Sequence, residues 1–119
     1  MGSSLYSDAN ALQQAVAPGT VMTVNTASAA FVNNILSGMR ALVNVSAVSG
    51  TTPSLVVSLQ AYNPLSGTWV DVAASAAITA VGDYVLSTSP LPHTWRLNFT
   101  LTGTTPSFTF GGVMVELFR

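Results

Sequence analysis

A six-residue phrase occurs twice in this chain: Ser49-Gly50-Thr51-Thr52-Pro53-Ser54 and Thr102-Gly103-Thr104-Thr105-Pro106-Ser107 differ only at their first position. Alternating apolar and polar residues flank each copy on both sides. Such alternation is the mark of strands with one buried face. Glycine supplies the backbone angles that a chain reversal needs. Proline fixes its own φ and biases the preceding Thr toward an extended conformation. The pattern predicts two similar β-hairpins, each with Gly-Thr-Thr-Pro-Ser at its tip, in the longer hairpin-loop classes.

Residues 1–19 read as a distinct N-terminal segment. Ser7-Asp8 would cap a short helix running to Val16, with Leu12 and Val16 on one stripe and Ala17-Pro18-Gly19 ending it. A helix of that length is not stable alone. The segment is therefore expected either as an arm docking on a neighbour or as a turn covering one end of the core.

From residue 20 to 119 a single domain follows, and its period is two. Residues 20–24 and 29–36 are candidate strands, the second interrupted by Asn33-Asn34. Met39, Ala41, Val43, Val45 and Ala47 share one face; Arg40, Asn44 and Ser46 share the other, with Leu42 and Val48 as exceptions. Leu55, Val57, Leu59 and Ala61 point inward, Ser58 and Gln60 outward. A turn at residues 63–67 precedes candidate strands at 69–73, 76–80 and 84–87. Trp95, Leu97, Phe99 and Leu101 face in, opposite Arg96, Asn98 and Thr100. Phe108 and Phe110 continue inward to Gly111-Gly112, read as a bulge, and Val113, Val115 and Leu117 finish the inner face. About seven to nine short strands with regular turn signals predict an all-β fold. The expected form is an antiparallel, jelly-roll-like β-sandwich with a short N-terminal arm or helix.

Groups able to do chemistry are scarce. Only 6% of residues are charged, against about 25% in typical soluble domains. They are Asp8, Arg40, Asp71, Asp83, Arg96, Glu116 and Arg119. Either a neutral, Thr-rich surface keeps the chain soluble, or neighbouring protein covers that surface. The absence of cysteine removes disulfides, thiolate ligands and Cys nucleophiles. His93 is the only histidine, and nothing resembles a nucleophile elbow. The carboxylates are well separated in sequence, where a glycosidase needs two that converge. No pattern of His or acidic residues has metal-ligand spacing. Three scattered arginines do not make the basic footprint that phosphates require. No apolar run is long enough to span a bilayer, and the N-terminus lacks the pattern of a secretory leader. The expectation is a non-enzymatic protein with no cofactor, no metal, no nucleic-acid partner and no membrane partner. Tyr62, Trp69, Tyr84 and Trp95 are candidates for stacking on a sugar. Trp95 is better suited to the core, because it shares a face with Leu97 and Phe99.

The succession of residues 50–60, Ser66-Gly67-Thr68-Trp69-Val70, Thr94-Trp95-Arg96-Leu97 and Pro106-Ser107-Phe108-Thr109-Phe110 resembles small β-sandwich virion proteins of tailed bacteriophages, especially the head decoration or cement type. The resemblance covers residues 38–119. It implies a structural protein, made in the host cytoplasm and bound to the surface of the assembled phage head. There it would contact the major capsid protein and further copies of itself, often as a trimer, and the family brings no catalytic residues. Similar patterns occur in phage neck and tail modules. A carbohydrate- or receptor-binding sandwich using Trp69 and Tyr62 is a further alternative. For protein–protein contact we expect Gly50, Thr51, Thr52, Pro53, Gly103, Thr104, Thr105 and Pro106, with Arg40 and Arg96 setting specificity through ion pairs.

Overall fold

Two long strands carry the sheet. The computed structural model describes residues 11–32 and 37–118. In it, β5 (Gly38–Asn63) and β8 (Thr94–Phe118) run antiparallel from end to end. The outer edge of β8 is lined by β1 (Ala11–Val16), β2 (Val21–Met22), β3 (Thr26–Ala27) and β4 (Phe31–Val32). The outer edge of β5 is lined by β6 (Thr68–Ala74) and β7 (Gly82–Thr88). The antiparallel all-β expectation holds, with the 8 strands among the described residues in one continuous sheet.

The duplicated phrases are not hairpin tips. Each lies inside a long strand, and the two face each other. Ser49 opposes Ser107, Thr51 opposes Thr104 and Ser54 opposes Thr102, with the register shifting on both sides of Thr51. The relation is reciprocal. Gly50 and Gly103 have φ of 113° and 111°, Thr52 and Thr105 of 48° and 46°. A Cβ on Gly50 would sit 2.7 Å from the Thr105 carbonyl oxygen, and one on Gly103 2.6 Å from that of Thr52. The crossing thus has approximate two-fold symmetry. Glycine at positive φ marks any abrupt change of direction, a bulge as well as a turn. Proline lacks the N–H that a regular ladder would use, so it suits the same place.

The Thr residues before Pro53 and Pro106 are left-handed rather than extended. For a β-branched residue this conformation is an outlier, and it costs about 1–2 kcal/mol. Each Thr hydroxyl donates to the preceding carbonyl, Thr52 to Thr51 and Thr105 to Thr104, both at 2.8 Å. Thr52→Gly or Thr105→Gly removes that backbone cost and adds a smaller entropy loss from the unfolded chain. Each substitution is expected to stabilise the protein by about 1 kcal/mol, read as a higher urea midpoint at unchanged slope. A lower midpoint would mean that the hydroxyl bonds outweigh the strain.

At this crossing the sheet creases and curls over on itself. Phe99 and Phe110 both belong to β8, and an extended strand would hold them more than ~30 Å apart. Their ring centroids are 5.7 Å apart, edge to face. One layer contains residues 38–48 and 108–118 with β1, β2 and β7; the other contains 55–63 and 94–101 with β3, β4 and β6. The thinnest dimension of the molecule, 19 Å, accommodates two layers about 10 Å apart.

The core fills the space between the layers. Met39, Ala41, Val43 and Val45 meet Leu55, Val57, Leu59, Trp95, Leu97, Phe99, Phe108, Phe110, Val113 and Val115, all buried. Bulges keep the alternation in phase. Asn44 pairs with Gly112 and Val45 with Phe110, so Gly111 is the extra residue of the expected Gly111-Gly112 bulge. A second shift, between Val45 and Ala47, turns Ala47 outward and Val48 toward the core, contrary to the simple alternation. Ser58 is buried although it lies on the outer side, because its small side chain sits between Asn98 and Ala74 on the flanking strands.

Residues 11–16 form β1, not the end of a helix; Ser7-Asp8 lies outside the described residues. Leu12 and Val16 satisfy a helical and a strand period equally. The register shift between Gln14 and Val16 sends Leu12 outward and Val16 into the core. The open edge of β8 decides the outcome, since its backbone groups need partners. The chain continues along that edge as a strap. Gly19 N donates to Phe110 O (2.8 Å) and Phe110 N to Thr20 O (2.9 Å). Where the strap departs from regular pairing, side chains substitute for backbone: Asn25 Oδ1 accepts from Leu101 N (2.8 Å) and Ser28 Oγ from Leu97 N (3.0 Å). The expected strand at 29–36 is limited to Phe31–Val32 among the described residues, since 33–36 fall outside them. The expected strand at 76–80 reduces to one bridge, Ile78 to Leu55, with Ile78 buried.

Candidate functional site

The curl leaves each layer one outward face, and the two faces differ in chemistry. On the first layer the strand order is β7-β5-β8-β1. Leu42 lies directly beside Val85 on one flank and Met114 on the other, with Leu12 diagonal to Met114. These side chains are 38%, 57%, 37% and 65% exposed. Polar pairs close the row on both sides. Arg40 Nε donates to Glu116 Oε1 at 2.8 Å, and Asn44 Nδ2 donates to Asp83 Oδ1 at 2.6 Å. Two shallow hollows of about 230 and 220 Å³ flank Leu42 and Asn44, one reaching Met114 and Gly111, the other Val85 and Tyr84.

The second layer carries a polar and aromatic face. Pairing of β5 with β6 sets Tyr62 opposite Trp69, ring centroids 5.2 Å apart and tilted by 58°. The Arg96 guanidinium lies over the Trp69 ring, 4.4 Å from its centroid. Arg96 Nε donates to Gln60 Oε1 (2.8 Å), and Gln60 Nε2 donates to Asp71 Oδ1 (2.9 Å), a chain across three strands. Beside it a hollow of about 420 Å³ is lined by Tyr62, Pro64, Pro92, His93 and Thr94. His93 Nδ1 is 2.9 Å from Thr94 Oγ1.

Between the faces runs the crease. It brings the expected contact residues Gly50, Thr51, Thr52 and Pro53 together with Gly103, Thr104, Thr105 and Pro106, as one ridge rather than two tips. Both prolines are half-buried and the four threonines are exposed. Arg40 and Arg96 lie on opposite layers, each engaged by its own chain. All charged residues among the described residues have a side-chain partner within the chain: Arg40 with Glu116, Asp83 with Asn44, and both Asp71 and Arg96 with Gln60. The Arg40–Glu116 pair is half-exposed and contributes about 0–1 kcal/mol to folding. Its larger consequence is that the charges of Arg40 and Glu116 cancel, so the net charge of this face is that of Asp83, held at the edge of the row by the Asn44 amide.

Of the four aromatic candidates, only Tyr62 and Trp69 come together. Trp95 is core, stacked on Phe31 with centroids 4.6 Å apart. Tyr84 is in the other layer, its hydroxyl donating to Ala80 O. The apolar row escapes a strand-by-strand reading. Leu42, Val85 and Met114 each look like an isolated break in alternation, and only the register makes them neighbours. Comparison with protein-family models and with curated protein sequences finds no match to either.

Proposed function

We propose that this chain is a non-enzymatic structural subunit, a decoration or cement protein of a tailed-bacteriophage head. In this reading it works as an oligomer, with trimers favoured, bound to the major capsid protein on the head surface. The observation that carries the reading is the apolar row of Val85, Leu42, Met114 and Leu12 with its flanking Arg40–Glu116 and Asn44–Asp83 pairs. An apolar centre free of charge and a polar rim are the anatomy of protein–protein interfaces. Contiguous exposed apolar side chains of this kind mark contact surfaces. The mechanism is mechanical. The creased sheet is a stiff two-layer body, and burying its apolar face against capsid protein and sister copies ties neighbouring lattice positions together.

The test uses heads of the phage that encodes the chain, stripped of this protein. Wild-type protein should sediment as an oligomer and add back to heads in proportion to lattice positions. Leu42→Asp puts an unpaired charge at the centre of the row. It should keep the wild-type circular dichroism spectrum, sediment as a monomer and fail to add back. Monomeric wild-type protein that does not bind heads would overturn the reading.

A further inference from the structure

We propose that the outer face of the second layer binds a neutral saccharide, with Tyr62 as the stacking platform. The hollow beside Tyr62, about 420 Å³, falls within the ~300–1,000 Å³ of small-molecule sites. Tyr62 is 40% exposed, and the pairing of β5 with β6 fixes its place in the sheet. Trp69 braces it from one side at 58°, and Arg96 braces Trp69 in turn. A ring held in this way presents a flat apolar surface and loses little further freedom on binding. The C–H face of a pyranose needs such a surface.

Its hydroxyls need donors and acceptors side by side, and the face has both. Asp71 uses one oxygen on Gln60 and keeps acceptor capacity on the other. Arg96 uses Nε on Gln60 and retains its terminal N–H groups. His93 and Thr94, joined through Nδ1 and Oγ1, line the hollow itself and add ring nitrogen and hydroxyl groups. The hydrogen bonds within the Asp71–Gln60–Arg96 chain hold these planar groups in place before a ligand arrives. One Asp and one Arg cancel, so the face has no excess charge to select an anionic ligand. It also lies on the layer opposite the apolar row, so a subunit docked through Leu42 and Met114 would keep this site turned outward.

The test is a screen of the labelled protein against immobilised neutral glycans. It is followed by titration with the soluble oligosaccharide that binds, monitored by tryptophan fluorescence and by backbone amide shifts. Trp69 is the half-exposed tryptophan and Trp95 the buried one, so a ligand-dependent change reports the proposed face. At least one neutral oligosaccharide should bind, shifting the amides of Tyr62, Trp69, His93 and Thr94. Tyr62→Ala should weaken it at least tenfold, and Tyr62→Phe should retain it. Leu42→Asp should leave saccharide binding unchanged, which separates this proposal from the head-binding reading. The proposal is overturned if no neutral glycan binds at millimolar concentration, if Tyr62→Ala binds normally while folded, or if the face takes up only a proline-rich peptide.

Discussion

Gly50→Ala will destabilise the protein by about 3 kcal/mol or more, and Gly103→Ala by a similar amount. Two costs add at each site. The backbone at φ near 110° is one that residues with a Cβ rarely adopt. The new methyl would also lie 2.7 or 2.6 Å from a carbonyl oxygen of the opposing strand. The obstructing atom is backbone in both cases, so no side chain can swing aside. Gly19→Ala is the control. Its φ is also positive, at 86°, but nothing lies within 4 Å of the added Cβ. It should cost only the conformational part, about 1 kcal/mol. Urea unfolding of the three variants therefore separates strain from collision. If Gly50→Ala falls within error of Gly19→Ala, the strands do not cross as closely as described. The double variant should cost less than the sum of the singles, because the first substitution already opens the crossing that the second would obstruct.

The crease shows why local chemistry did not reveal its own context. Gly50 and Gly103 at positive φ, each followed by Thr-Thr-Pro, satisfy the requirements of a hairpin tip and of a paired bulge equally. The choice depends on which segment lies opposite, and for each copy that segment is the other copy. The inner face was more legible. Trp95, Leu97, Phe99 and Phe110 belong to strands buried on one side, and each strand carries that information in its own period. The Gly111-Gly112 bulge was readable for the same reason, since Phe110 and Val113 share a face only if one residue is skipped. Ala47 was misread because the matching skip on β5 has no glycine to announce it. Leu12 and Val16 fit two periods, and the open edge of β8 chose between them. The outer faces were readable only in part. Tyr62 and Trp69 stood out by residue type, whereas Val85, Leu42 and Met114 form a row only once three strands are in register.

Phe110→Ala and Phe99→Ala are each expected to cost about 3–5 kcal/mol, the range for emptying a buried aromatic site. Both rings are fully buried, and a domain of this kind has only about 5–15 kcal/mol to lose. The more telling measurement is the double-mutant cycle with Leu at both positions, which keeps most of the volume. Edge-to-face contact at 5.7 Å should give a coupling of about 0.5–1.5 kcal/mol. Distant sites add to within ~0.3–0.5 kcal/mol. In a flat sheet these two residues of one strand would be too far apart to sense each other. The cycle thus tests the curl itself, with unfolding followed through the fluorescence of Trp95, which packs against the same core. Strict additivity would require the layers to part. The aromatic face would then no longer lie opposite the apolar row, the arrangement that turns Tyr62 and Trp69 outward on a subunit docked through Leu42 and Met114.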